Sequence, residues 1–525
     1  MRIKTMTALM IIFLISRIVA ADHIDVDRLP LGDESKRYHY VKAELNKILN
    51  TDSNVVVDKE SMIDDLASKR IVMVGETHTD QSHHDMQLDI IRGLHERGKK
   101  VILALEMFNP AQDSLLAQWT AGKMTEDEWL KADGFFVSWG HNYRYYKEIF
   151  DYCRDNDIAL KGVNVPSKYA SRINRVGIAG LSDEERAAIP DIHLENQEHR
   201  FYFASATQGM DATMPSFFPN MYAAQSLWDT AMGEGSIRHA LANPDAVVVT
   251  LAGSGHVVYN FGIGRIIQDR SELSFASVVA VGVDEEVEEF GMMKVRRHLE
   301  KEKADDEAAK HKKAKSGFFK RLFGGKRDKS DAKVAEMPIV EKTKPAMAHA
   351  PMKDTPGKKG KMPSGMPGMP PPTSSETATV AKKESGGMPK SQKSAMSMHM
   401  GMGMEDSTPY KVVTRSLADY IWGKPLMTQE LYPSLGFSAK MQGIDTLLIT
   451  RVLPETIAWE NGLKRGDLIL AVDNKCFTNI IDYQIYKTSK NWDDDITFSL
   501  IRDGKKKTLR FKIEPLEEDC PCAKD

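Results

Sequence analysis

Cysteine is scarce in this chain. Its 525 residues contain four: Cys153, Cys476, Cys520 and Cys522. A disulfide-stapled fold would carry more, so the folded parts must rest on ordinary cores. Cys520-Pro-Cys522 has no further ligand residues nearby, and a plain tail accounts for it. A surplus of one charge is missing too. The 71 basic and 74 acidic residues leave a formal charge of −3. Overall charge therefore selects no partner, and nucleic acid is not expected. Long apolar runs are absent beyond the first 21 residues, which excludes a later membrane-spanning helix. Two hydrolase signatures are missing as well. There is no His-Glu-x-x-His and no Gly-x-Ser-x-Gly nucleophile elbow.

The one apolar run present stands at the start. Arg2 and Lys4 precede Met6–Ile15, and Val19-Ala20-Ala21 offers small residues for cleavage. Residues 1–21 read as a secretory signal. The run is short for a membrane anchor, and Arg17 interrupts it. An exported protein is expected, periplasmic in a Gram-negative source and extracellular otherwise. Residues 22–53 are polar with helical stretches and carry no usable signal.

From 54 to 292 strands and helices alternate. Ile71–Val74 reads as a short buried strand ended by Gly75. Glu76, Thr77 and His78 follow at its exit, with Asp80, His83 and His84 close behind. Gln81–Arg97 reads as a helix, which places His84 and Gln87 on one face. Further strands are expected at Val101–Leu105, Ile158–Val163, Ala246–Leu251 and Phe275–Val281. Helices are expected at Gln112–Trp119, Glu126–Ala132, Tyr143–Asn156 and Asn220–Leu241. This alternation predicts an α/β domain, a mainly parallel sheet with helices on both faces. In such sheets ligands bind beyond the carboxyl ends of the strands. Four polar clusters fall there: Gly75-Glu-Thr-His78, Glu106, Asn164 and Gly253-Ser-Gly-His256. Each alone would suit a satisfied cap or turn, but four at one rim describe a site.

Residues 293–408 change character. Lys dominates first, then Pro, Gly, Ser, Lys and Met. Large aliphatic and aromatic residues nearly vanish, so a long disordered linker is expected. Within it, Gly317-Phe-Phe-Lys-Arg-Leu-Phe323 could touch an anionic membrane surface, although a basic linker with a few apolar residues is the better account. Twelve of the 28 Met fall in 337–404. Met396, Met398, His399, Met400, Met402 and Met404 are soft donors suited to Cu(I), with compositional drift as the plain alternative.

A small α+β domain closes the chain. Its bounds are 409–516, with the compact part from about Leu426 to Pro515 and a tail at 517–525. Leu448–Val452 reads as a strand, Asn479–Thr488 as a helix, and Ile496–Arg502 with Thr508–Ile513 as a hairpin. Asp503-Gly504 is its turn. Asn461-Gly-Leu-Lys-Arg-Gly-Asp-Leu-Ile-Leu-Ala-Val-Asp-Asn474, after Val452-Leu-Pro-Glu-Thr-Ile-Ala458, resembles a PDZ domain. The resemblance implies capture of a peptide or protein C-terminus along a sheet edge. Leu435, Gly436 and Phe437 match its carboxylate-binding loop. No His opens the second helix, so ligand preference stays open.

The α/β domain resembles the ChaN-like haem-binding family, in the wider group with Tiki, TraB and erythromycin-esterase-like proteins. The matching series is Gly75-Glu-Thr-His78, His84-x-x-Gln87, Glu106-Met-Phe108, Trp139 with Tyr146-Lys-Glu-Ile149, Asn164-Val-Pro166, Ala224-Gln225 with Asp229, and Gly253-Ser-Gly-His256. The resemblance implies haem or iron uptake, with a haem iron held by a Tyr and a His near the propionates, in one chain or between two subunits of a homodimer. Glu76, His78, His84, Tyr146, His256 and Tyr259 are the cofactor candidates, with Tyr143 a further phenol near the motifs. Each Tyr would also suit a half-buried core position. No Cys-x-x-Cys-His is present, so that motif attaches no haem covalently. The alternative is a divalent-metal hydrolase or protease using Glu76, His78, Glu106 and His256, with the PDZ domain delivering substrate.

Overall fold

A computed structural model describes residues 24–132, 134–285 and 408–516. The stretch read as a secretory signal, most of the linker, its Met-rich tract with Met396 to Met404, the Phe-containing island and the Cys-Pro-Cys tail lie outside the described residues. Among the described residues no helix is long and apolar enough to cross a membrane.

The strands in chain order are β1 Tyr40–Glu44, β2 Ile48–Asn50, β3 Val55–Val57, β4 Ile71–Glu76, β5 Lys100–Leu105, β6 Ala159–Gly162, β7 Ala246–Gly253, β8 Phe275–Val283, β9 Tyr410–Thr414 and β10 Tyr420–Pro425. An eight-stranded sheet runs β3-β2-β10-β8-β4-β7-β5-β6. The stretch from β10 to β6 is parallel, and β2 and β3 add an antiparallel margin. The expected α/β architecture is present. Every residue of β4 and β7 is buried, as befits central parallel strands covered on both faces.

One apolar cluster fills each face. On one side the helices Gln81–Glu96, Asp113–Thr120 and Lys147–Asp155 contribute Ile90, Leu116 and Phe150. On the other, Phe218–Ala242 and Ile263–Arg270 contribute Met232 and Ile267. Asp80 caps the first of these helices by accepting the Ser82 N–H at 2.9 Å. Phe218–Ala242 carries Pro219 in its first turn, where the missing N–H costs nothing.

Two expectations need correction. The stretch 22–53, read as polar and without signal, holds β1 and β2. The stretch 409–425, assigned to the last domain, belongs to the first. There β9 pairs with β1, and β10 enters the large sheet between β2 and β8. Ile421 and Trp422 are buried. The partners of β9 and β10 lie far away in sequence, so no local period announces the pairing. Gly423 shows how tight the insertion is. A Cβ there would collide with the Glu44 carbonyl, and its N–H donates to Lys47 at 3.0 Å.

The last domain begins after β10. Its sheet runs β11 Phe437–Gln442, β12 Thr446–Val452, β13 Leu468–Val472, β14 Asp495–Arg502 and β15 Lys505–Lys512 in sequential order. The helix Ile480–Thr488 is capped by Asn479. Asp503 and Gly504 both have positive φ, 51° and 74°, as a two-residue hairpin turn with right-handed strand twist requires.

The described residues form one compact unit. Arg144 lies 3.7 Å over the Tyr432 ring and donates to the Lys490 carbonyl at 2.9 Å. Asn142 donates to the Thr488 carbonyl at 3.1 Å. The last domain thus rests on the segment that follows Trp139.

Candidate functional site

Three strands deliver the ionisable residues to one rim. Glu76 is the last residue of β4, Glu106 follows β5, and His256 follows β7 by three positions. All three are buried. Their carboxylates do not meet at one point. They organise two separate networks.

The first is centred on Glu76. Its Oε1 accepts from the Tyr146 hydroxyl at 2.7 Å and from His78 Nδ1 at 2.8 Å. His84 Nδ1 lies 3.0 Å from the other oxygen. His84 also reaches Gln87 Oε1 at 3.1 Å, the expected same-face pair. Burial would raise the Glu76 pKa, yet the His84 and His78 imidazoles hold it well below the usual carboxylate range. Burial lowers the two histidines, but Glu76 raises His84, and Glu76 together with Glu106 raises His78, above the ordinary value. Asp80 and His83 act nearby as braces. His83 Nδ1 accepts the Thr77 N–H at 2.9 Å and so shapes the loop that carries His78.

The second is centred on His256. Its Nδ1 donates to Asp229 Oδ1 at 2.6 Å, and its Nε2 lies 3.3 Å from Glu106 Oε1. Glu106 Oε2 accepts the Gly253 N–H at 2.7 Å. Burial opposes the His256 charge, but Glu106 and Asp229 push its pKa up to about 10. Burial raises Glu106, and His256 brings it below its ordinary value. Asp229 Oδ2 lies 3.5 Å from His199 Nε2, beside a second hollow of about 890 Å³.

Between the networks opens a cleft of about 370 Å³. His78, Glu106, His256 and Asn164 reach it, together with Trp139, His141 and Trp228. Asn164 is also a satisfied turn residue, since its Nδ2 donates to the Glu106 carbonyl at 3.0 Å. Trp139 packs edge-on to His78, with ring centroids 4.9 Å apart, and His141 lies 4.6 Å from His78. Burial and the neighbouring His78 charge lower the His141 pKa to about 4.

The remaining candidates lie elsewhere. His84 and Tyr146 are 1% exposed and stand behind the cleft wall. Tyr143 is packed between Phe135 and Phe150. Tyr259, expected beside the cofactor, is remote from the cleft. Its hydroxyl donates to the Val26 carbonyl at 2.6 Å and it borders the larger hollow. Its sequence position after His256 misled, because the chain turns away there through two left-handed residues, Tyr259 and Asn260. His141 and Trp228 were missed. Neither follows a strand, and the one signal for His141 was its place two residues after Trp139.

Among the described residues no group of three or more His, Cys, Asp or Glu side chains is disposed to hold a metal ion. Glu76, His78, Glu106 and His256 reach one rim without forming such a group. Leu435 is buried in the last domain, and Gly436 has φ +77°. Phe437 begins the edge strand β11.

Residues 62–267 match the family described as haem-binding uptake, Tiki superfamily, ChaN. Residues 448–486 match the PDZ domain family. A solved structure of ChaN of Campylobacter jejuni with cofacially bound heme is 18% identical, with 45% of this chain and 90% of that one covered and a TM-score of 0.38. The erythromycin esterase EreC in its open conformation is 15% identical, covering 47% of this chain and 78% of that one at a TM-score of 0.28. Protein RETICULATA-RELATED 5, chloroplastic, of Arabidopsis thaliana is 31% identical over 136 residues. That match takes in 25% of this chain, and the chain spans only 18% of that relative's length.

Proposed function

From a chain that carries a ChaN-like haem-binding domain and a PDZ domain, we propose an exported haem-binding protein whose cleft at the ends of β4, β5 and β7 receives the haem. The observation that carries the reading is the composition of that cleft. Two indoles, Trp139 and Trp228, border it together with two imidazoles, His78 and His141. Indole faces suit a flat aromatic macrocycle, and imidazole nitrogens suit haem iron. The donor set therefore fits the group. Haem, when bound, supplies a redox-active iron. The chain's part is to bind it, orient it and shield it. Uptake of haem or iron outside the cytoplasm is the role this suits, given the secretory character of residues 1–21. The PDZ domain would bring a peptide or protein partner to the carrier.

The test is a hemin titration of the full chain, followed by Soret absorbance. Saturation at a defined stoichiometry is expected, weakened when Trp139 and Trp228 are both replaced by Ala. Absence of any Soret shift with stoichiometric hemin would sink the proposal.

One observation favours a second reading, a divalent-metal hydrolase. Two carboxylate–imidazole pairs, Glu76 with His78 and Glu106 with His256, stand at one rim, and such pairs can serve as general bases. Stoichiometric Zn or Mn in the purified chain, with ester or peptide cleavage lost in Glu76→Ala, would select it over the haem reading.

A further inference from the structure

The last domain rests on the first through the two elements that would grip a peptide. The edge strand β11 and the helix Ile480–Thr488 face each other, with the Phe437 and Tyr483 rings 6.4 Å apart. β11 pairs on one side only, with β12. Its other side is where an extended chain can add as a strand. Leu435 and Gly436 lead into it. Their carbonyls accept the Ala458 and Leu453 N–H groups, each at 2.9 Å, so the loop is held in place.

Both elements are also held by the first domain. The helix ends at Thr488, whose carbonyl accepts from Asn142 Nδ2 at 3.1 Å. Arg144 donates to the Lys490 carbonyl at 2.9 Å and to Asn491 Oδ1 at 2.8 Å. Ile485 packs on the core of the first domain. The approach to the loop is fixed in the same way. Tyr432 donates its N–H to the Tyr145 hydroxyl at 3.2 Å, and the two rings lie 4.8 Å apart. Glu430 lies within hydrogen-bonding reach of the Thr79 hydroxyl.

The first-domain stretches that make these contacts are the ones that line the cleft. Trp139 and His141 border it, and Asn142, Arg144 and Tyr145 come directly after them. His78 borders it from another loop, and Thr79 is the next residue. Each of these wall segments thus runs straight into a contact with the last domain. A ligand shifts a conformational equilibrium only through contacts that differ between the states. A group that orders Trp139 and His141 also sets where Asn142 and Arg144 stand. A peptide seated between β11 and the helix bears on the same two residues from the other side.

We propose that peptide capture along β11 and occupancy of the cleft are energetically linked through residues 142–145 and Thr79. The inference rests on the haem reading above. The partner that fits is a protein offering a free carboxyl end in extended form. Seated along β11, that end alters how tightly the cleft holds haem, and by reciprocity haem alters how the edge receives it.

Reciprocity lets hemin alone test the linkage. Amide hydrogen exchange of the full chain is recorded with and without hemin, and Soret absorbance reports occupancy. At saturation, exchange in 430–442 and 480–488 should slow about fivefold or more, the lower end of ordinary coupling between sites. Exchange in 505–512, at the far edge of the last sheet, should stay as it was. A chain carrying both Asn142→Ala and Tyr145→Phe should still bind hemin and should lose the slowing. Where circular dichroism shows that this pair loosens the fold, Tyr145→Phe alone, which removes one hydroxyl, should weaken the slowing. Saturation with no change in 430–442 and 480–488 overturns the linkage and leaves the haem reading standing. So does slowing that extends equally to 505–512, which is general stiffening, or slowing that survives loss of the contact. If hemin produces no Soret change, the haem reading falls and the linkage falls with it.

Discussion

Ile421 of β10 lies opposite Val279 of β8 in parallel register, although the whole linker separates them in the chain. The α/β sheet is therefore closed by residues that return from beyond the linker. Both side chains are fully or almost fully buried. Ile421→Ala should cost about 2–5 kcal/mol, the range for truncating a core aliphatic. Urea unfolding followed by Trp fluorescence measures it. A chain ending at residue 285 should lose cooperative unfolding, because β8 and β2 would each lose a neighbour. Rejoining 408–425 to it should restore the transition. Equal stability with and without that segment would contradict the pairing.

Tyr146→Phe tests the hydrogen bond that the Tyr146 hydroxyl gives Glu76. It removes one hydrogen bond to a buried carboxylate that keeps His78 and His84 as partners. A loss of about 1–3 kcal/mol is expected, read by denaturant midpoint. Glu76→Ala should be worse, since it removes the carboxylate partner of the buried His84 and the half-buried His78, at roughly 3–5 kcal/mol.

The His256 network should make stability depend on pH on the alkaline side. The folded-state pKa, about 10, lies above the ordinary 6.5. A raised pKa means that the folded chain binds the proton more tightly than the unfolded one. The contribution is therefore fully present below about pH 6.5 and is lost as pH rises through about 10. The urea midpoint of the wild type should fall across that window, and His256→Gln should flatten the slope. A wild-type midpoint that rises toward pH 10 would rule the network out as the cause.

Arg144 couples the cleft wall to the last domain by lying over Tyr432 and bonding Lys490 and Asn491. Arg144→Ala should raise amide exchange in both 138–146 and 480–489, while 81–96 stays protected. Exchange confined to one of the two segments would show that the contact does not hold them together.

Gly436 has φ +77°, and a Cβ there would stand 2.2 Å from the Thr456 Cβ. Gly436→Val should therefore destabilise the last domain by about 1–3 kcal/mol, the cost of a strained backbone position. A thermal scan of the full chain would show an early transition absent from the wild type.

Much was legible in the sequence because it is local. The run Ile71–Val74, the polar exit at Glu76 and His78, and the spacing of His84 and Gln87 each reflect neighbours within one or two turns of chain. Periodicity reports such neighbours directly. The strand ends then placed Glu106, Asn164 and His256 on the same rim, since parallel strands with crossover helices leave little choice. The hairpin at Asp503-Gly504 was readable for the same reason.

What the sequence could not determine depends on contacts without a local period. β1, β2, β9 and β10 stand outside the strand–helix alternation, and only tertiary pairing made 410–425 part of the first domain. The same holds inside the site. Sequence supplied the cast of Glu76, His78, Glu106, His256 and three tyrosines. Tertiary structure decided that Tyr146 faces Glu76, that Tyr259 turns away to Val26, and that His141 borders the cleft. Which atoms a side chain meets is set by packing across the whole fold, and no stretch of sequence holds that information alone.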